Sequence, residues 1–444
     1  YNLMLSIRAD GTSRFAKKNR WGVFPAASAG WNLHEEEFMK FGWLNELKVR
    51  VSYGLTGNQA GISTNLAQDL LAGGYNQGGR AGLAARRLYN PNLHWEKGHS
   101  ANIGIDFSAL DNRIDFSVDL YHKITTDLLY AINVPQESGY TTMASNDGGK
   151  IRNRGVEVSV NGVPYQSEDR KIRWTVSANF TYNENRVLEL GNKKGYYTTG
   201  FASIVKQGHP LGSFYLLEAL GIAKEPYYYS SYVDENGRVQ QKVVQPGDVI
   251  YRDVNGDGKI DDNDNVLFRG GVAPIFGGFS TALDCYGFDL SLNFQYAIGR
   301  KIYAMYREDQ RTGAPKGGPS YSHNMDKGQL DYWSPSNPNA KNPRPYLNGT
   351  AATWNNLRSS RNLEKGDYLR CQDITLGYTF TKTFKIPYIQ QLRLYAQVRN
   401  AFTVTPYTGL DPEGQNDTDP VYAGFDQHGI PNMRVYAVGL NIKF

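Results

Sequence analysis

Apolar and polar residues alternate with a period of two over long stretches of this chain. Between residues 46 and 56, Leu47, Val49, Val51, Tyr53 and Leu55 alternate with Glu46, Lys48, Arg50, Ser52 and Thr56. The pattern returns in Ile172, Trp174, Val176, Ala178, Phe180 and Tyr182, separated by Arg173, Thr175, Ser177, Asn179 and Thr181, and again in 101–109, 114–124, 156–160, 288–298 and 392–398. Such alternation builds a strand with one apolar and one polar face. Segments 113–125 and 171–183 hold it for about a dozen residues, twice the length of an ordinary soluble strand, which is what a tilted strand needs to cross a bilayer. A soluble β-sandwich or propeller also alternates apolar-in and polar-out. Strand and loop lengths favour the all-β, transmembrane antiparallel barrel.

Counting back from a last strand at 432–444 sorts the connections into two sets. The long ones are 403–431, 300–365, 184–275, 130–149, 57–96 and 10–20, and the short ones are 381–389, 285–286, 163–170, 110–111 and 34–44. Bacterial barrels place long loops outside and short turns in the periplasm. Residues 1–444 therefore read as one stretch of barrel wall of twelve strands, the first ascending, with extracellular loops at about 57–96, 184–275, 300–365 and 403–431. In strand 366–380 the apolar parity switches between Cys371 and Ile374, which predicts a bulge. Tyr436, Val438, Leu440, Ile442 and Phe444 share one face, and a terminal aromatic behind alternating apolar residues resembles the signal by which outer-membrane barrels are recognised for insertion. The chain opens inside a strand, with Tyr1, Asn2 and Leu3, so a processed N-terminus or a cut from a longer chain is expected.

Composition narrows the class. A hydrophobic share of 40% and a mean hydropathy of −0.53, without any run near the roughly 20 apolar residues of a spanning helix, exclude a helical membrane protein. Forty-eight basic and 43 acidic residues give a net charge of +5, spread without the basic stripe that nucleic acid requires. Cys285 and Cys371 are the two cysteines and make neither a disulfide framework nor a thiolate metal site.

The sharpest local motif spans 253–264. Asp253, Asn255, Asp257, Asp261 and Asp264 occupy positions 1, 3, 5, 9 and 12 of a calcium-type loop, the Lys259 carbonyl falls at position 7, and Gly258 sits at the sixth, where such loops turn sharply. Hard oxygen ligands at this spacing favour Ca²⁺, held as a structural clasp in an external loop; the alternative is a solvated acidic turn. Asp264 departs from the Glu of an EF-hand, and its shorter arm also occurs in dockerin-like loops. The histidines at 34, 94, 99, 122, 209, 323 and 428 are scattered, and HExxH, GxSxG and Walker-type loops are absent, so no enzyme is expected. Asp261 with Asp262, and Asp417 with Asp419, read as loop solvation or metal ligation rather than a glycosidase pair. Loop aromatics Tyr227, Tyr228, Tyr229, Tyr232, Tyr321, Trp333, Trp354, Tyr407, Tyr422 and Phe425 would stack on sugars, anchor a partner protein or pack loop on loop.

Several segments together resemble the SusC/RagA family of TonB-dependent transporters, in that family's order over nearly the whole chain. They are 8–15 (RADGTSRF), 22–28 (GVFPAAS) with Trp31, 47–59 (LKVRVSYGLTGNQ), 90–97 (NPNLHWEK), 153–157 (NRGVE), the acidic stretch 247–264, 331–335 (DYWSP), 369–380 and 399–402 (RNAF). The resemblance implies about the last twelve strands of a 22-stranded barrel, with the plug domain and TonB-contacting box not in this chain. It further implies an outer-membrane importer of oligosaccharides or peptides, energised through TonB and lidded by a SusD-like surface lipoprotein. A TonB-dependent receptor for siderophores or other metal chelates, which lacks the lipoprotein lid, is the alternative.

Overall fold

A computed structural model describes residues 1–60, 71–85, 88–140, 142–146, 148–199, 202–307, 327–346, 350–382, 386–414, 419–427 and 429–444. Twelve long strands form one sheet: β1 (Asn2–Gly11), β2 (Trp21–Asn32), β3 (Leu44–Asn58), β4 (Glu96–Ala109), β5 (Ile114–Thr126), β6 (Lys150–Gln166), β7 (Ile172–Glu189), β8 (Ile275–Cys285), β9 (Phe288–Ile298), β10 (Tyr368–Thr379), β11 (Gln391–Val404) and β12 (Val435–Lys443). Each pairs antiparallel with the strand before and after it in sequence, so the sheet is a simple meander. β1 and β12 are its two edges.

The register explains the alternation. One row across the sheet runs Trp31, Val49, Ile105, Val118, Val158, Phe180, Gly277, Tyr296, Leu369, Val404. The row one residue away runs Lys48, Asp106, Ser117, Ser159, Asn179, Gly278, Gln295, Arg370, Thr403. Because neighbouring residues point to opposite faces, one face of the wall is apolar and the other polar across every joint. A slip of one residue at any pair would send polar side chains through the apolar face. The bulge expected in β10 falls at Gln372: both neighbours shift register there, which returns Cys371 and Ile374 to the same side.

Connections alternate between two rims. At the short-turn rim, Tyr286 (φ 47°) and Gly287 (φ 92°) link β8 to β9, two positive-φ residues as a type I′ hairpin requires. At the long-loop rim the connections fold into small sheets of their own. Tyr196–Thr198, Ser203–Lys206, Ser213–Leu217 and Asn265–Phe268 make one of four strands, Tyr227–Val233 pairs with Val239–Val244, and Lys301–Ala304 lies between Leu363–Lys365 and Phe425–Asp426. Pattern reading treats these segments as plain loops. Their backbone polar groups need partners once packed together, and short ladders supply them. The wall strands also outrun the apolar band: β7 continues to Glu189 and β6 to Gln166.

The compact cores sit mostly in the loops, with Phe24 of β2 the wall residue that joins one of them. Phe214, Leu216, Tyr303 and Phe425 form one, Leu217, Val249 and Tyr251 a second, Ala223, Tyr229 and Val244 a third, and Phe15, Phe24, Leu93, Trp95 and Leu129 a fourth under the first loops. Among the described residues no helix is long and apolar enough to cross a membrane; the long strands have the reach to do so.

Candidate functional site

The polar face holds a concavity of about 970 Å³ across β7 to β11, lined by Asn179, Asn293, Gln295, Gln372, Asp373 and Gln397 among others. Amide and hydroxyl groups dominate it. The β10 bulge helps to shape it, since the extra residue presents Gln372 beside Asp373, whose carboxylate accepts from Gln397 Nε2 at 2.5 Å and Thr375 Oγ1 at 2.7 Å. Two arginines on this face are paired within the wall. Arg50 bonds Asp106 and Asp119 at 2.6–3.1 Å, and Arg393 bonds Asp289.

Above the concavity a buried polar cluster fastens the β11–β12 connection to the strand tops. Arg370 pairs with Asp411 and, at 2.5 Å, with Glu413; Tyr368 donates to Glu413 at 2.6 Å, and Gln295 Nε2 reaches Tyr368 Oη at 3.1 Å. Asp411 also receives the N–H groups of Asn432 and Glu413. Burial pushes the Asp411 carboxyl up, but these donors and Arg370 outweigh it and hold it below the usual carboxylate range. Tyr407 donates to buried Asp426 at 2.5 Å. In the neighbouring loop, Arg344 pairs with Asp248 at 3.0 Å, which also takes the amide of Asn355, and Trp354 Nε1 donates to the Val249 carbonyl.

Most of the loop aromatics singled out in the sequence serve this packing. Tyr229, Tyr407 and Phe425 are buried, and Trp354 stacks edge-on with Tyr229 and Tyr251. Tyr228 remains well exposed. Tyr321, His323, Asp417 and His428 lie outside the described residues. Of the other histidines, His34 meets the Leu47 backbone, His94 lies 3.6 Å from Asp127, and His99 bonds Tyr53 Oη at 3.0 Å. Arg370, central to the rim, carried one sequence signal: a charge beside the parity switch of β10.

The acidic loop is wound by its own side chains. Asp253 accepts the N–H groups of Gly256 and Gly258, Asn255 that of Asp257, Asp257 that of Lys259, and Asp261 that of Asn263. Asp264, fully buried, accepts from Val254 at 2.8 Å and Asp261 at 2.9 Å. Gly258 has φ +78°, and a Cβ there would lie 1.9 Å from the Ser230 carbonyl oxygen, so the position is open to glycine alone. Lys259 lies over the Tyr232 ring at 4.7 Å. Among the described residues no three carboxylates, imidazoles or thiols are gathered around a shared point where a metal would sit.

An antiparallel wall that is apolar outside, polar inside and crowned by long loops at one rim is the architecture of an outer-membrane β-barrel. The sequence matches the family model described as TonB dependent receptor-like, beta-barrel, over residues 1–261. It is 34% identical to TonB-dependent receptor P39 of Formosa agariphila, over 100% of this chain and 45% of that protein, and 28% identical to TonB-dependent receptor SusC of Bacteroides thetaiotaomicron, over 100% and 42%. The solved RagAB peptide transporter superposes with a TM-score of 0.81 at 26% identity, across 100% of this chain and 46% of that one. The chain belongs to the TonB-dependent receptor β-barrel family, in its SusC/RagA branch, and is an outer-membrane protein. It spans a little under half the length of these relatives.

Proposed function

We propose that the protein carrying this chain imports oligosaccharides or peptides across the outer membrane, and that this chain supplies the second half of a barrel of about 22 strands. The observation that carries the reading is the unbroken polar row from Lys48 to Thr403 backed by an apolar row one residue away: a wall built to face a wet passage on one side and lipid on the other. The long-loop rim then faces the cell exterior. Two open sheet edges call for the remaining strands, which with a plug in the lumen would come from the rest of the protein. TonB would act through that upstream part, and a SusD-like surface lipoprotein would lid the loop rim. The likeness to SusC and to a peptide transporter supports the choice of cargo class. Gentle solubilisation of the native membrane, followed by mass spectrometry of the purified complex, tests it. A lipoprotein partner with a bound oligosaccharide or peptide is expected; a lone barrel carrying an iron chelate would overturn it.

For the loop at 253–264 we propose structural Ca²⁺. Asp253, Asn255, Asp257, Asp261, Asp264 and the Lys259 carbonyl would hold it, drawn inward from their present spacing. Support comes from the fit of the donor set. The buried Asp264 carboxylate accepts the backbone N–H groups of Val254 and Asp261, among the described residues it makes no salt bridge, and each oxygen bonded to the backbone keeps a second lone pair. The ion would clamp the loop against the tyrosine hairpin.

A further inference from the structure

The outward face changes character abruptly between two rows of paired residues near the long-loop rim. One row, Val51, Ile103, Leu120, Val156, Tyr182 and Ile275, is apolar throughout. The next row up on the same face is Tyr53, Ala101, His122, Arg154 and Glu184, and the one above it is Leu55, His99, Ile124, Arg152 and Arg186. Within two rows of the apolar band, three guanidinium groups therefore converge on one carboxylate. Glu184 lies 2.6 Å from Arg154, 2.8 Å from Arg152 and 3.8 Å from Arg186. Three positive charges against one negative leave the cluster at +2. Higher still, Lys150 and Lys97 are matched by Glu189 and Asp127, so the excess is confined to this level. Arg154 and Arg186 are about half exposed, and Nε of Arg152 is sealed from solvent and donates to nothing. A shallow hollow of about 540 Å³, lined by Tyr53, His99, Ala101, His122, Ile124 and Lys150, lies beside the cluster on the same face.

We propose that this patch binds the phosphorylated headgroup of an outer-leaflet lipid. The proposal rests on the long-loop rim facing outward. A net positive cluster placed directly above the acyl-chain band, on the side turned away from the lumen, stands where lipid phosphates lie. Arginine forks match phosphate oxygens bidentately, and Glu184 pre-orders two of the forks while leaving N–H groups to spare. The adjoining hollow would take the headgroup's sugar or the top of a chain beside Tyr53 and His122.

The test uses the intact protein in phosphatidylcholine nanodiscs doped with bis-phosphorylated lipid A or with its dephosphorylated form, read by native mass spectrometry of retained lipid. Selective retention of the phosphorylated form is expected. In an Arg152→Gln/Arg154→Gln/Arg186→Gln variant, affinity should fall about fivefold for each guanidinium removed. Arg154→Gln alone, at an exposed position, serves if the triple variant fails to insert, with heat-modifiable migration as the control for folding. Equal retention of both lipids, or unchanged retention in the variants, would overturn the proposal. So would loss of a copurifying protein in place of lipid, which would assign the face to that protein. Cargo uptake, measured in parallel, reports separately on the import reading.

Discussion

Tyr229 and Tyr251 are joined by two hydrogen bonds running in opposite directions. The Tyr229 hydroxyl donates to the Tyr251 carbonyl at 2.5 Å and accepts the N–H of the same residue at 2.8 Å. One phenol thus satisfies both backbone groups of a fully buried residue, and burial pushes both phenols well above their ordinary pKa. Tyr229→Phe keeps the ring against Trp354 but orphans a buried donor and acceptor, at a cost of about 1–3 kcal/mol each. Faster hydrogen exchange across 219–268, with unchanged heat-modifiable migration of the barrel, is the expected outcome. Unchanged exchange would mean that the lock contributes nothing to the loop.

Arg370 and Asp411 set a second, pH-dependent attachment. The Asp411 carboxyl is held below its ordinary value, so its contribution is fully present above the unfolded value of about 4 and is lost as pH falls through the folded value. The β11–β12 connection should stay docked at neutral pH and loosen only in strong acid. Asp411→Asn removes that dependence and leaves Arg370 with Glu413 and the Thr403 hydroxyl, weakening docking by up to about 3–5 kcal/mol, as for other broken buried pairs. Limited proteolysis within 405–434, followed from pH 7 downward, separates the two proteins: the variant should be cleaved throughout, the parent only once the pH has fallen through the lowered Asp411 value.

These two attachments mark where sequence reading stops. The wall was legible because a period of two is local: Val49, Val51 and Tyr53 declare a face without knowledge of any partner, and the Cys371–Ile374 parity switch declares the bulge at Gln372 in the same way. The acidic loop was legible because its donors lie within twelve consecutive residues. Nothing local announces that Asp248 meets Arg344, 96 residues on, or that Tyr229 meets Tyr251. Burial of Tyr407 and Phe425 depends on loops that approach each other only once the wall is formed. Strand ends were also misplaced, because above the apolar band β7 continues as a ladder of charged and polar residues.

On the polar face, the flat guanidinium of Arg50 lies over Gly104, where a Cβ would stand 2.6 Å from Cζ. Gly104→Ala should push Arg50 off Asp106 and Asp119 and cost about 1–3 kcal/mol through overpacking. Gly162→Ala, whose new methyl would meet Val176 at an ordinary 3.5 Å, should be close to neutral. Both variants, compared by the temperature at which the barrel unfolds on a gel, put a number on the arginine's role in holding three strands together.

Metal removal tests the acidic loop most directly. Asp253, Asp257, Asp261, Asp262 and Asp264 place five carboxylates in twelve residues, which accept hydrogen bonds from backbone N–H groups and side-chain amides. With Ca²⁺ bound, the loop should resist proteases; chelation should expose it to cleavage between 253 and 264, and added Ca²⁺, but not Mg²⁺, should restore protection, because small octahedral Mg²⁺ suits such a loop poorly. Asp264→Ala should be cleaved whether or not calcium is present, since it loses the buried carboxylate that ties Val254 to Asp261. If the parent loop is equally resistant with and without chelator, its own hydrogen bonds suffice and the calcium proposal fails.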